Sequence, residues 1–308
     1  MKRALIDRIH DRLWTITGDW LEVKEQPSST ESISSGDASV SGTMDWPLAC
    51  AALVSGQWTS HDFRKTHAVR QVVETVGPVD GRHYANYIKH IAPDYLTDHR
   101  VAAIDAWGDP IRWPGILLGT PQAFSPTTLR YLAHALWLNK KGFVKEGGTV
   151  VEIGVGFGGL AAMNALVSKA TTLMVDLEPV AKAAMRQMHD LGFSHHVAIH
   201  DGKIHHSDFC VISNYAFTEL SSELQDAYVD KFIRHADRGV ILSNAAVFAQ
   251  NIQGRNDDQI TDLLRTVNID SVKDYQASIL CSADHTCKVC LIRWDKHSKK
   301  QQSNAHEI

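Results

Sequence analysis

Long apolar runs are missing from this chain of 308 residues, and none approaches the roughly 20 residues that a bilayer-spanning helix needs. No membrane partner is expected. Positive charge is not in surplus: 31 Lys and Arg face 35 Asp and Glu, for a formal net charge of −4. The basic residues are also scattered, which excludes the concentrated face that grips a phosphate backbone. Nucleic acid is therefore not expected as a ligand. Cysteine is scarce and odd in number, five in all, with Cys50 and Cys210 inside apolar stretches. Reduced thiols in a cytoplasmic protein fit that usage better than a disulfide framework. The opening segment MKRALIDRIHDRLW carries charges where a signal peptide would need its apolar core. With 20 Gly and 9 Pro, 44% apolar and 21% charged residues, neither a collagen-like repeat nor wholesale disorder is compatible with the composition.

What remains is a globular chain with two textures. Residues 1–115 read as a mainly helical N-terminal cap region. It holds an amphipathic helix over 2–22, a flexible Ser-rich segment over 26–43 and a helix near 82–92. Residues 116–295 alternate strand and helix, and a frayed tail follows over 296–308.

In the second region Ser125 is placed to N-cap a helix whose first residue is Pro126, with Gly142 as its stop. Strands follow at 149–156, 171–177, 196–200, 208–214 and 239–245, separated by helices near 158–169, 179–192 and 221–236. A helix near 257–267 precedes strands at 275–281 and 288–294, which must pair as an antiparallel hairpin. The expected fold class is α/β: a doubly wound, mostly parallel, seven-stranded Rossmann-like sheet whose C-terminal hairpin makes one edge strand antiparallel. One step strains this pattern. The link between the third and fourth strands is shorter than the dozen residues a parallel crossover normally takes. Either the third strand is shorter than drawn or the crossover lacks a helix.

The run Glu152-Ile153-Gly154-Val155-Gly156-Phe157-Gly158-Gly159 stands where a strand meets a helix. Glycines there allow a sharp turn and close backbone approach to a ligand. Gly154, Gly156 and Gly159 also satisfy the dinucleotide spacing G-x-G-x-x-G, so NAD is one reading. Glu152 favours another. A carboxylate at the strand end repels a pyrophosphate and suits a ligand bearing an ammonium and a sulfonium, as S-adenosyl-L-methionine does. Asp176 with its neighbour Leu177 ends the second strand, where an acid can accept from both ribose hydroxyls. Cofactor contacts are thus expected from Glu152, Gly154, Gly156, Gly158, Asp176 and Leu177. Asp201 is placed either to accept from the adenine amino group or to be an exposed turn aspartate.

Five stretches carry a family resemblance: Asp105, Gly108 and Pro110; Ser125 through Tyr131; Val151 through Gly159; Val175 through Pro179; and Ser213 through Glu219. On them the chain resembles the sugar O-methyltransferases of bacterial polysaccharide and glycan gene clusters, over residues 85–295. The glycine stretch is common to most class I methyltransferases and implies only the cofactor. The helix before it and the Ser213–Glu219 stretch are more specific to the family. The resemblance implies a methyltransferase sheet and a sugar hydroxyl, or a nucleotide-linked small molecule, as acceptor. The first 80 residues lie outside it.

A sugar hydroxyl is a weak nucleophile and calls for a general base, most often His, Asp or Glu. In an open α/β sheet ligands lie beyond the carboxyl ends of the strands. The loop after the fourth strand therefore supplies candidates: Asn214 as a polar contact, Tyr215 and Phe217 as walls, and Glu219 as base. Glu219 also suits a helix start, where acids are favoured without any catalytic duty. His200 and His205 are alternative bases. Arg130 and Tyr131 are candidates for the acceptor, Arg130 for a carboxylate or phosphate.

No metal is expected. The histidines at 189, 195, 196, 200, 205 and 206 lack the helical i, i+4 pairing of a zinc enzyme, since the pair four apart, 196 and 200, falls on an expected strand, and no acidic cluster suits magnesium. Cys281, His285, Cys287 and Cys290 fall on the hairpin, where Cys287 and Cys290 point to opposite faces. Three alternatives stay open: a methyltransferase of another small natural product, an NAD(P)-dependent oxidoreductase, and a catalytically silent partner subunit. Homo-oligomerisation also stays open.

Overall fold

A computed structural model describes residues 42, 45–203, 208–249, 252–275 and 289–297. The expected helix over 2–22, nearly all of the Ser-rich segment and the tail beyond 297 lie outside the described residues.

Seven strands form one sheet: β1 Thr149–Ile153, β2 Thr171–Val175, β3 Val197–Ile199, β4 Phe209–Asn214, β5 Arg238–Ser243, β6 Val272–Asp274 and β7 Cys290–Asp295. Their order is β3-β2-β1-β4-β5-β7-β6. β1 to β5 run parallel and β7 is antiparallel to both its neighbours, β5 and β6. The expected mostly parallel sheet is therefore what the chain forms, with one refinement: the antiparallel strand sits inside the sheet, and the edge belongs to β6. β1, β4 and β5 are buried on both faces, which is why their sequences read as continuous apolar runs. β3 has three residues, so it is shorter than expected. β6 begins at Val272 rather than at 275, and residues 276–288, with Cys281, His285 and Cys287, lie outside the described residues.

The helices are α1 Trp46–Val54, α2 His67–Val72, α3 Pro78–Ile91, α4 His99–Ala106, α5 Gly115–Leu118 and α6 Pro126–Lys140. There follow α7 Gly159–Ser168, α8 Glu178–Asp190, α9 Ser222–Lys231, α10 Ala245–Phe248 and α11 Asp257–Thr266. α3 starts earlier than expected because Pro78, with φ already set for a helix, supplies the first turn. None of the described helices is long and apolar enough to cross a membrane.

Alternation along the strands splits the core in two. Val150, Met174, Cys210 and Ile212 face α6, α7 and α8, in one cluster with Trp46, Leu53, Phe63 and Ile88 of the N-terminal region. Val151, Ile153, Val211 and Ile241 face the other way, toward Val229, Ile260 and Leu264. Helices thus cover both faces. α1 packs on α8 and α3 on α6, so the described N-terminal residues share their core with the sheet.

Candidate active site

The turn after β1 is left-handed at three glycines: φ is +79° at Gly154, +57° at Gly156 and +95° at Gly158, which caps α7. A side chain is excluded there by conformation and by space, since a Cβ on Gly154 would lie 2.0 Å from the Ala216 methyl. Tyr131 of α6 closes the other side, its ring 2.4 Å from where a Cβ on Gly159 would be. Val73, just past α2, lies 3.3 Å from the corresponding point on Gly156. The turn is therefore gripped between the β4 loop, α6 and the N-terminal region.

Two carboxylates flank it. Glu152 pairs in register with Met174, two residues before Asp176, so strand pairing alone brings both acids to the same sheet edge. Glu152 is 2% exposed, and its Oε2 has no hydrogen-bond partner. Asp176 accepts from the backbone N–H of Leu177 at 2.8 Å and of Gly156 at 3.2 Å. Burial pushes the Asp176 carboxyl up to about 7, against the opposing pull of amides at Leu177, Gly156 and Val155. Burial raises Glu152 well above the ordinary carboxylate range, and the neighbouring charge of Asp176 raises it further. Among the described residues neither acid has a Lys, Arg or His ion-pair partner. α1 closes over this end: burial raises the Cys50 thiol, and the charge of Asp176 adds to the effect. Leu177 contributes its amide, not its side chain.

α6 and the β4 loop meet beside the turn. Arg130 is 8% exposed, and its guanidinium lies 5.1 Å from the Tyr131 ring centre and 5.9 Å from that of Tyr215. Tyr215 holds a left-handed φ of 74°, a strained setting for a bulky residue. Asn214 Nδ2 is 3.2 Å from His134 Nδ1, and His134 is itself buried, edge-on to Tyr84 of α3. Sequence reasoning missed His134, although it lies one helical turn beyond Arg130 and so on the same face.

Other expected residues fall elsewhere. Phe217 is fully enclosed in the second core cluster, so it packs the sheet and walls no ligand space. Glu219 ends the 3-10 turn Ala216–Glu219 and accepts from Asn244 Nδ2 at 2.7 Å, at the ends of β4 and β5. Burial raises its carboxyl, and the Asn244 bond partly offsets that. His200 Nδ1 accepts from the Gly202 amide at 2.8 Å, and its ring packs edge-on to Phe232. Asp201 is an exposed turn aspartate that accepts from the Lys203 amide at 2.9 Å. His205 lies outside the described residues. Among the described residues, His61, Asp62 and Asp109 come close enough to share a cation, but Lys65 already pairs with Asp109.

Ser125 does begin α6, yet its hydroxyl makes no helix cap. It donates to Glu74 Oε2 at 3.1 Å and accepts from Arg64 Nη2 at 3.3 Å. Arg64 Nε donates to Glu74 Oε1 at 2.5 Å, and its remaining nitrogens reach the Asp105 and Trp107 carbonyls and the Thr128 hydroxyl. Asp105 accepts from the Ser125 amide and pairs with Arg112. The guanidinium of Arg64 lies 4.7 Å from the ring centre of Phe157, inside the glycine turn. The stretches around Asp105 and Ser125 thus clamp the N-terminal region onto that turn.

No family model matches the chain, and no curated protein does. The chain is similar to several solved methyltransferase structures. One from Aquifex aeolicus is 20% identical, with a TM-score of 0.37, over 50% of this chain and 85% of that one. A TehB-like enzyme from Corynebacterium glutamicum is 15% identical, with a TM-score of 0.41, over 54% and 87%. Geranyl diphosphate C-methyltransferase from Streptomyces coelicolor, crystallised with Mg2+, geranyl diphosphate and S-adenosyl-L-homocysteine, is 12% identical, with a TM-score of 0.39, over 53% and 78%.

Proposed function

We propose that this chain is an S-adenosyl-L-methionine-dependent methyltransferase acting on a hydroxyl of a sugar or a nucleotide-linked small molecule. The observation that carries the cofactor is the pair beside the glycine turn, buried Glu152 and half-buried Asp176, which among the described residues has no cationic partner. Two largely desolvated acids side by side are costly in the free protein, and the cost is relieved by a ligand that brings positive charge and hydroxyl donors. A pyrophosphate would add two further negative charges at the same edge. Asp176 alone would serve either cofactor, and Glu152 separates them. The sugar acceptor rests on the resemblance of the Ser125–Tyr131 and Ser213–Glu219 stretches.

When bound, the cofactor supplies an electrophilic methyl carbon on a sulfonium. The protein's own work is orientation and proton removal. Asp176 accepts from the ribose hydroxyls, and Glu152 from the ammonium. On this reading Asn214, Tyr215 and Tyr131 hold the acceptor for in-line attack, and such positioning supplies much of the acceleration. Glu219, its proton affinity raised by burial and its carboxyl oriented by Asn244, is the base we assign to the hydroxyl. On this reading residues 1–115 are a cap, 116–295 the cofactor-binding domain and 296–308 a tail, in a cytoplasmic enzyme.

Thermal unfolding with saturating S-adenosyl-L-homocysteine, NAD or NADP tests this. A ligand at about 100 times its Kd should stabilise the fold by about 2.7 kcal/mol. A shift with the homocysteine ligand alone is expected, and methyl-transfer assays on sugars and nucleotide-sugars then address the acceptor. A shift with NAD alone overturns the reading.

A further inference from the structure

We infer that Arg130, sandwiched by Tyr131 and Tyr215, is a receptor for a ligand oxyanion, a carboxylate or phosphate, at the proposed cofactor and acceptor site. The inference rests on that reading of the site. Arg130 is nine-tenths buried, yet among the described residues no carboxylate pairs with it. Its Nη2 donates to the Val73 carbonyl at 3.4 Å, the Tyr131 side chain is a second, neutral partner, and Nε has none. A guanidinium does not shed its proton inside a protein, so this charge persists where water is largely excluded. Aromatic faces and one peptide oxygen offset only part of the desolvation.

Its surroundings fix where the anion would lie. Val73, which accepts from Arg130, covers Gly156. Tyr131 abuts Gly159, and Tyr215 follows β4. Arg130 is therefore on the wall shared by the glycine turn and the β4 loop. Its fork of parallel donors matches the two oxygens of a carboxylate or phosphate. Two sources fit this chemistry: the amino-acid carboxylate of the cofactor, and an anionic group on the acceptor.

Calorimetry on the full chain separates them. Wild type, Arg130→Gln and Arg130→Lys are titrated with S-adenosyl-L-homocysteine and with 5′-methylthioadenosine, which lacks the amino acid. The protein loaded with S-adenosyl-L-homocysteine is then titrated with UDP as an anionic probe. If the cofactor supplies the anion, Arg130→Gln loses about tenfold or more for S-adenosyl-L-homocysteine and nothing for 5′-methylthioadenosine. If the acceptor supplies it, both adenosyl ligands bind unchanged and UDP binding falls by a similar factor. Arg130→Lys, which keeps charge but not the fork, should fall between. Unchanged affinity for all three probes in Arg130→Gln, with a melting temperature lowered from wild type, makes Arg130 a packing residue and overturns the inference. Failure of wild type to bind either adenosyl ligand overturns the cofactor reading first, and this inference with it.

Discussion

Arg64 and Arg130 are buried to similar depth, 1% and 8% exposed, and both lean on aromatic rings beside the glycine turn. Their partners differ completely. Arg64 has an ion pair with Glu74, two backbone carbonyls and two hydroxyls. Arg130 has one carbonyl at the limit of hydrogen-bond distance, the neutral Tyr131 side chain and the Tyr215 ring. The same contrast holds among the acids. Glu74 and Asp105 have guanidinium partners in Arg64 and Arg112, whereas among the described residues Glu152 and Asp176 have no cation. The clamp in the N-terminal region is electrostatically closed, and the strand-end site is left open in both signs. A fold gains nothing by burying unpaired charge, so on the proposed reading the open set serves binding and the closed set architecture.

The largest effect expected from this contrast is on the clamp. Arg64→Met keeps much of the stem but strands Glu74, 8% exposed, without its cation. Breaking a buried pair from one side costs about 3–5 kcal/mol, so urea unfolding should shift by that amount. A loss below about 1 kcal/mol would mean that the clamp is not what holds the region. An equal loss in Arg130→Gln would erase the distinction between the two arginines.

Next in size is the pH dependence of binding. On the proposed reading the ribose hydroxyls donate to the ionised form of Asp176, whose carboxyl burial pushes up to about 7 in the free protein. Below that value the group must first lose a proton, so affinity for S-adenosyl-L-homocysteine should fall as pH drops, toward tenfold per unit, and level off above about pH 8. Glu152 lies close enough to couple, so the midpoint belongs to the pair. The free protein responds in the opposite sense. Because the folded pKa lies above the unfolded 3.8, this group's contribution to stability is full below that value and is lost as pH rises toward 7. Calorimetry from pH 5.5 to 8.5 checks the first trend, and Asp176→Asn should flatten it. A wild-type affinity independent of pH would remove Asp176 from the ribose.

Much of this arrangement is visible in sequence wherever the information is local. Pro126, Pro179 and the glycine stops mark α6 and α8, and apolar runs mark the central strands. The two site acids follow from strand pairing, since each stands at the end of a strand adjacent to the other's. The clamp is hidden for the opposite reason. The partners of Arg64 lie at Glu74, Asp105, Ser125 and Thr128, and no periodicity links residues so far apart. Ser125 shows the consequence: its helix-start signal is right, but its hydroxyl serves a distant arginine instead of the helix. Phe217 shows another. An aromatic in a loop after a strand fits a ligand wall or a core plug equally well until the neighbouring strands are placed.

The smallest effect is the most discriminating. Glu152→Gln keeps the shape and removes a buried charge whose Oε2 is unpartnered. In the free protein it should raise stability, by about 1 kcal/mol at pH 8, a typical gain from relieving one unfavourable site feature. The gain should shrink as pH falls, because burial and the neighbouring Asp176 raise the Glu152 carboxyl well above the ordinary carboxylate range. Cofactor affinity should move the other way, falling in the same variant. Loss of stability together with loss of binding would instead describe a residue that supports the turn, and Glu152 would then join Arg64 on the architectural side. Only a gain in one and a loss in the other fits a site whose charge is kept for its ligand.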